Sequence, residues 1–321
     1  MTPAVGFGLV IIAAVLFGML GPLSRFAYDA GMQPTAFVAW RALIGLAGVG
    51  VFVAWRVRRA ELVLVRPGNL ATRARLLLLV AALMGITINV SMFIAFDRIT
   101  IALALLGFYT YPAMVALANV LLGREPLDVP RSVALVLALV GMIAVVGSQL
   151  DPSGGIRLDG IGLGLALGAA VGQTVYVLIS RDGYREVPTE QVTVVVLLGT
   201  LIGATILAVL GSGGASLIEP VRRPALLPLL LFTGIFAAAI PSMGFLAGIR
   251  SIGGTRAGIL MLVEPVVGVG LAAWLLGESL VPIQLVGAVA ILGAAVILQR
   301  SGAQDAVTDR GSAPLVVPGG P

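Results

Sequence analysis

The chain has 321 residues and contains no cysteine, no histidine and no lysine. Without cysteine there is no disulfide framework, no thiol nucleophile and no thiolate-held metal. Without histidine the side chain that most readily titrates near neutrality is missing, so any proton chemistry falls mainly to carboxylates. Charge is scarce too. Charged residues make up 11% of the chain, where a soluble domain carries about a quarter. No Ser-His-Asp set, metal-ligating cluster or phosphate-cradling loop is present, so no catalytic residue, metal or cofactor is implied. Gly268-Val269-Gly270-Leu271-Ala272-Ala273 superficially has dinucleotide-fingerprint spacing, but it lies inside an apolar run with no strand before it. Glu125 and Glu278, at the edges of apolar runs, keep a membrane enzyme or scaffold open as an alternative.

What the chain has in abundance is apolar sequence: 59% of residues are hydrophobic and the mean hydropathy is +1.09. A membrane-spanning helix needs about 20 mostly apolar residues. Ten runs qualify, at 4–24, 35–55, 76–96, 99–122, 132–150, 160–180, 191–211, 226–249, 257–276 and 282–299. The first lacks the basic leader of a cleaved signal and is followed by many others, so it reads as a permanent span. Only Arg41 and Glu264 lie clearly inside a span.

The twenty basic residues are all arginine, and their placement explains the net charge of +5 better than nucleic-acid binding does. Fourteen follow even-numbered runs and five follow odd-numbered ones. Positive loops stay in the cytoplasm, which places both termini there. Trp55 and Trp274 sit at span ends and fit either an interfacial belt or ordinary packing. The stretch 212–225 is long and partly apolar. The segment 300–321, rich in Gly, Pro and Ala, reads as a disordered cytoplasmic tail.

The chain also repeats itself. Pro112 and Pro265 are 153 residues apart, and so are Glu125 and Glu278. Pro34-Thr35 and Pro188-Thr189 open spans two and seven at an offset of 154. Ala13-Ala14-Val15 and Ser24-Arg25 recur as Ala169-Ala170-Val171 and Ser180-Arg181 at 156. Four matches in one order at nearly one offset indicate duplication, with one five-span unit over 4–150 and another over 160–299. Five is odd, so the second copy enters the membrane from the opposite face. Inverted repeats of this kind are typical of secondary transporters, whose site lies near the midplane between the halves. The expected fold is therefore all-α, with ten transmembrane helices in two inverted five-helix repeats around a central cavity.

The candidate site follows from what is costly in lipid. Glu264 lies eight residues beyond Arg256, roughly 12 Å deep at about 1.5 Å per residue. An intramembrane carboxyl normally faces a bundle interior or a wet cavity. It either binds a cationic group, exchanges a proton, or fills the gap beside Pro265 as a structural hydrogen-bonding group. Pro265 has no N–H, so a bent helix with the Met261 carbonyl left free is expected there, with Pro112 as the matching kink in span four. Arg41 sits in the outer third of span two, where it either binds an anionic group such as a carboxylate or snorkels to the interface. Tyr109 and Tyr111 lie beside Pro112, either at a cavity edge or packed in the core. Asn89 is the only side-chain amide in span three. Gln173, Tyr176 and Ser180 form a polar stripe on span six, lining a path or bonding between helices. Gly160, Gly164, Gly168 and Gly172 recur every fourth residue, a close-packing face more often internal than a dimer contact.

Glu264-Pro265, Leu275-Leu276-Gly277-Glu278 and the glycine-containing run from Gly287 to Gln299 resemble the EamA family of the drug/metabolite transporter superfamily. The first half resembles the same pattern through Pro112, Gly123-Arg124-Glu125 and Gly141, and Arg41 is similar to an arginine often found in span two. The resemblance covers about residues 4–299. It implies a basket of two inverted five-helix units in the bacterial inner membrane, and export of amino acids and related metabolites or movement of nucleosides, sugars and drugs. Where many members carry Glu-Pro in span four, this chain has Tyr111-Pro112. The expected function is a secondary transporter, an exporter of small metabolites such as amino acids by alternating access. Glu264 would be its proton- or substrate-sensitive group, and Tyr109, Tyr111, Asn89, Gln173, Tyr176 and Arg41 would contact substrate. Its partners would be the lipid bilayer, a small-molecule substrate and, on the proton-exchange reading, protons, with no nucleic acid. A passive facilitator or channel is the alternative.

Overall fold

A computed structural model of the chain describes residues 2–99, 101–125, 127–148, 159–212, 214–276 and 280–311. Regular structure among them is helical throughout, with no strand. Ten helices are long and apolar enough to cross a membrane: Pro3–Asp29, Pro34–Arg58, Thr72–Arg98, Leu103–Leu121, Val129–Gly147, Gly160–Ser180, Thr189–Gly211, Pro224–Ile252, Gly254–Leu271 and Pro282–Ser301. They are called spans 1 to 10 below. The last helix continues from Pro282 to Gly311, past Arg300, and residues 312–321 lie outside the described residues. Lipid-compatible side chains such as Val51, Leu79, Leu121, Leu210, Val286 and Val289 are exposed. Trp55 and Trp274 are exposed as well.

The two halves interlock rather than stand side by side. Span 2 packs on span 7 and span 5 on span 10. Span 3 packs on span 6, and span 1 correspondingly on span 8. Span 4 lies on span 6 as span 9 lies on span 1. Each pairing becomes another pairing, or itself, when the repeats are exchanged. Glycine makes the central crossing of spans 5 and 10 possible. A Cβ on Gly141 would sit 2.6 Å from the Gly287 carbonyl oxygen, and one on Gly287 would sit 2.5 Å from that of Gly141.

The glycine stripe of span 6 does not pack as the sequence suggests. Cβ atoms at Gly160, Gly164 and Gly168 would meet nothing within 4 Å, and only Gly172 touches a neighbour, at Ile88 and Thr87. The close approach is made on another face, where a Cβ on Gly162 would lie 2.7 Å from Ile99. Recurrence every fourth residue marks one helix face, but does not say whether that face meets protein or lipid.

Four spans are broken, and each break precedes a proline. Span 1 is interrupted at Met19 before Pro22, span 4 at Tyr109-Thr110 before Pro112, and span 9 at Met261-Leu262 before Pro265. Span 8 widens into a π-turn at Ile235–Ala239 before Pro241. Proline removes the i→i−4 donor and forces such local repair. The repair in span 9 corrects the expectation of a free carbonyl. The N–H of Glu264 donates to Met261 O at 2.9 Å, so the helix tightens by one residue and the carbonyl keeps a partner.

The loop over 212–225 is folded back on the bundle. Gln33 N–H donates to Ser216 Oγ at 2.9 Å and Trp40 Nε1 to Leu217 O at 2.8 Å. Arg223 donates to Ala30 O at 2.5 Å. On the opposite face, Gln191 holds the Val65 backbone by both its N–H and its carbonyl, at 2.9 and 2.7 Å.

Candidate functional site

Spans 1 to 4 and 6 to 9 enclose a cavity of about 1160 Å³, with the ends of spans 5 and 10 at its mouth. Its lining reaches the exposed Arg25, Asp29 and Asp97 at one face of the bundle. Toward the other face, the one that carries most arginines, it ends at Tyr176, Thr193, Phe245 and Met261. All the irregular spans contribute to the wall. Pro22, Tyr109 and Tyr111, Ala238, and Met261 with Glu264 and Pro265 come from the four breaks. A kink turns backbone and side chains away from the regular lattice of a bundle, which is how a packed set of helices leaves space at its centre.

The side chains singled out in the sequence meet here. Arg41, Asn89, Tyr109, Tyr111, Gln173, Tyr176, Glu264 and Pro265 all line the cavity. Pro112 shapes span 4 from outside the lining. Ser180 separates from its stripe: it lies fully buried beyond the cavity, bonded to the Tyr184 hydroxyl at 2.5 Å.

Glu264 is half-buried, and the part left accessible faces the cavity. Its position is set by close backbone contact, because a Cβ on Gly18 of span 1 would lie 2.7 Å from the Glu264 carbonyl oxygen. Among the described residues the carboxyl makes no ion pair, although Arg41, Tyr109 and Tyr111 are within electrostatic reach of it. The Tyr109 hydroxyl is buried directly beside it. Tyr109 and Tyr111 pack against Phe108 with ring centroids 5.4 and 5.2 Å away, so both readings of these tyrosines hold at once: their rings are core and they form cavity wall.

Arg41 does not snorkel; it is 4% exposed. One terminal nitrogen donates to Asn89 Oδ1 at 2.5 Å, and Asn89 Nδ2 donates to Gly85 O at 2.9 Å. The guanidinium lies over Phe93 and Phe37 at 5.0 and 6.0 Å. Its other terminal nitrogen is buried without a hydrogen-bond partner.

A second cluster, at the arginine-rich face, was not legible beforehand. The Glu125 carboxylate pairs with Arg181 and accepts the N–H groups of Gly254 at 3.0 Å and Thr255 at 3.2 Å. Asn119 Nδ2 donates to Thr255 Oγ1 at 3.1 Å. Arg250 donates to the carbonyls of Val187 at 2.9 Å, Tyr184 at 3.2 Å and Ser180 at 3.4 Å. These bonds join the ends of spans 4, 6 and 8 to the starts of spans 7 and 9, below the point where the cavity ends. Glu125 stood out in the sequence as a repeat marker and a carboxylate at the edge of an apolar run, not as the centre of a cluster. Its partners lie 56, 129 and 130 residues away, and no local pattern announces them. Its repeat partner Glu278 lies outside the described residues. At the opposite face, Arg98 and Asp159 form an ion pair at 2.5 Å. The Ile161 N–H, and secondarily Arg98, hold the Asp159 carboxyl below the ordinary aspartate range. No group of three or more acidic side chains among the described residues is placed to hold a metal ion.

The model of the EamA-like transporter family matches residues 4–147 and 160–300. The threonine/homoserine exporter RhtA of Escherichia coli K12 is 29% identical over 271 residues, covering 83% of this chain and 86% of that protein. RhtA of Salmonella typhimurium SL1344 is 28% identical over 260 residues, covering 79% and 83%. A solved protein crystal structure superposes with a TM-score of 0.73 at 19% identity, over 94% of this chain and 99% of that one. That likeness shows the fold.

Proposed function

The chain belongs to the EamA-like transporter family, and from that premise we propose that it exports small metabolites such as amino acids by alternating access across the bacterial inner membrane. The observation that carries this reading is the one-sided cavity: it reaches exposed residues at one face and is sealed toward the other by the Glu125 and Arg250 clusters. A carrier needs two such states related by exchange of the open and sealed ends. A channel needs one path open at both.

Orientation follows from charge. The arginine-rich face is the cytoplasmic one, which puts both termini in the cytoplasm and the cavity in an outward-open state. Each repeat contributes five spans, so the copies run in opposite directions, and the exchange-symmetric pairing of spans supports that relation. An inward-open state would then arise when span 9 parts from Glu125 while the outer ends close. Glu264 is the proton- or substrate-sensitive group of this scheme. Arg41, Asn89, Tyr109, Tyr111, Gln173 and Tyr176 contact substrate around it. The lipid bilayer and the transported solute are the partners this function requires, and no chemical transformation of the solute is part of it.

The test is flux in vesicles. Purified protein in liposomes, loaded with unlabelled amino acid or nucleoside, should take up the labelled solute by saturable counterflow. Flux that never saturates and shows no counterflow would instead mark a passive pore. Absence of flux for every solute offered would remove the transporter reading. Repeating the measurement with an imposed pH gradient tests coupling: if Glu264→Gln leaves pH-driven uptake unchanged, the acid does not carry the proton.

A further inference from the structure

Besides Arg25, Asp29 and Asp97, which lie exposed at its open end, one basic and one acidic side chain line the cavity, Arg41 and Glu264, and they do not pair with each other. Among the described residues no carboxylate lies within ion-pair distance of Arg41, and no arginine lies within ion-pair distance of Glu264. They are near enough to interact electrostatically. Arg41 is held on one side only: Asn89 fixes one terminal nitrogen, Phe93 and Phe37 fix the plane, and the second terminal nitrogen is left without a partner in a nearly inaccessible position. A buried guanidinium with an unused donor is costly unless something accepts from it.

Consider what each class of solute would do here. A cation satisfies Glu264 and is repelled by Arg41. An anion satisfies Arg41 and is repelled by Glu264. A neutral solute displaces water and leaves both charges without counter-ions. Only a molecule carrying both charges close together satisfies both groups at once. From this geometry, and resting on the transporter reading above, we infer that the cavity is a zwitterion clamp: the free nitrogen of Arg41 takes the substrate carboxylate, and Glu264, with Tyr109 beside it, takes the ammonium. The substrate class is therefore the unmodified α-amino acid. Its side chain lies against the mixed wall that includes Met92, Phe93, Ala238 and Ser242, which admits small polar or apolar groups and supplies no further charge at that point.

The experiment separates the clamp from transport by reading binding and flux independently. Detergent-purified protein is titrated with L-threonine, L-homoserine, threonine methyl ester (a cation), N-acetylthreonine (an anion) and threoninol, following thermal shift or intrinsic fluorescence. The same compounds then compete against labelled threonine in vesicle counterflow. The clamp predicts that both zwitterions bind at least tenfold more tightly than every blocked analogue. Arg41→Gln should weaken threonine about tenfold to a hundredfold while raising the relative affinity of the methyl ester. Glu264→Gln should do the same for N-acetylthreonine. A merely structural role for either residue would lower all ligands together, so the crossed selectivity is the deciding readout. Arg41→Lys, which keeps the charge and the fold, should retain the preference for zwitterions.

The inference is overturned if the ester or the acetylated compound binds the native protein as well as threonine does. It is also overturned if no zwitterion among the twenty common amino acids binds folded protein. Saturable flux of singly charged or neutral solutes alone would sink the clamp and leave the transporter standing. Selective zwitterion binding without flux would do the reverse.

Discussion

Spans 4 and 9 break at corresponding places, yet the two breaks carry different chemistry. In span 4 the residue before Pro112 is Tyr111, buried against Phe108 and Tyr109 in an aromatic cluster. In span 9 the residue before Pro265 is Glu264, turned to the cavity and short of partners. Duplication preserved the proline and therefore the bend, because the bend is what opens space between the halves. The acid stands in only one of the two copies. A basket with one such carboxyl rather than two has a chemically lopsided lining, and Arg41 on span 2 faces the same cavity. Backbone geometry and side-chain chemistry have thus been inherited separately.

The sharpest way to break this comparison is to equalise the two sites. Glu264→Gln should lower threonine counterflow roughly tenfold to a hundredfold, the size of one lost charge-assisted contact at about 1.5–3 kcal/mol. Tyr111→Phe, at the matching position, should change it less than about threefold. If both variants lose activity equally, the halves are chemically equivalent after all.

Next in size is the seal at the arginine-rich end. Glu125→Ala removes a carboxylate that ties span 9 to spans 4 and 6, and about 1.5–3 kcal/mol lost from one state shifts its population by tenfold or more. The absence of native cysteine gives a clean reporter. A single Ala257→Cys reporter, at a position that is fully buried, should react with a thiol reagent added at the arginine-rich face about ten times faster when combined with Glu125→Ala than in the otherwise native chain.

Smaller still is the contrast between two glycine faces. Gly141→Ala forces a methyl against the Gly287 backbone and should destabilise by about 1–3 kcal/mol, the usual cost of overpacking, visible as a lower melting temperature. Gly164→Ala meets open space and should be neutral or stabilising by up to about 1 kcal/mol through helix propensity. The smallest effect lies at the opposite face. Asp159 has a lowered folded-state pKa, so its contribution is present above the unfolded value and lost as the pH falls through the folded one. The melting-temperature gap between parent and Asp159→Asn should therefore be small at pH 7 and close below about pH 4, under the reference aspartate value.

Much of the scaffold was readable in the residues. Ten apolar runs became ten spans because about 20 apolar residues in a row have few alternatives, and Pro112 and Pro265 announced bends that are there. The cavity's polar lining was readable for the same energetic reason: Arg41 and Glu264 are too costly to expose to acyl chains. What stayed hidden was direction and distance. The fourfold glycine spacing of span 6 defined a face but not its neighbour, and Gly162 carries the contact instead. The repair of the Met261 carbonyl by Glu264 N–H is a choice between two local geometries that proline alone leaves open. The Glu125 cluster depends on partners more than fifty residues away, so only the assembled bundle brings it into being.

The near-touch between Gly18 and the Glu264 carbonyl has a mechanical consequence. With no side chain between them, the broken first helix and the bend of the ninth behave as one lever, and the acid rides on it. Arg41 rides on a different helix, braced by Asn89 of a third. On the proposed clamp, any swing of the lever would stretch the gap between the two grips unequally, and the cargo would let go at one end before the other. Unloading on that proposal would be a hinged tipping, not a simultaneous drop.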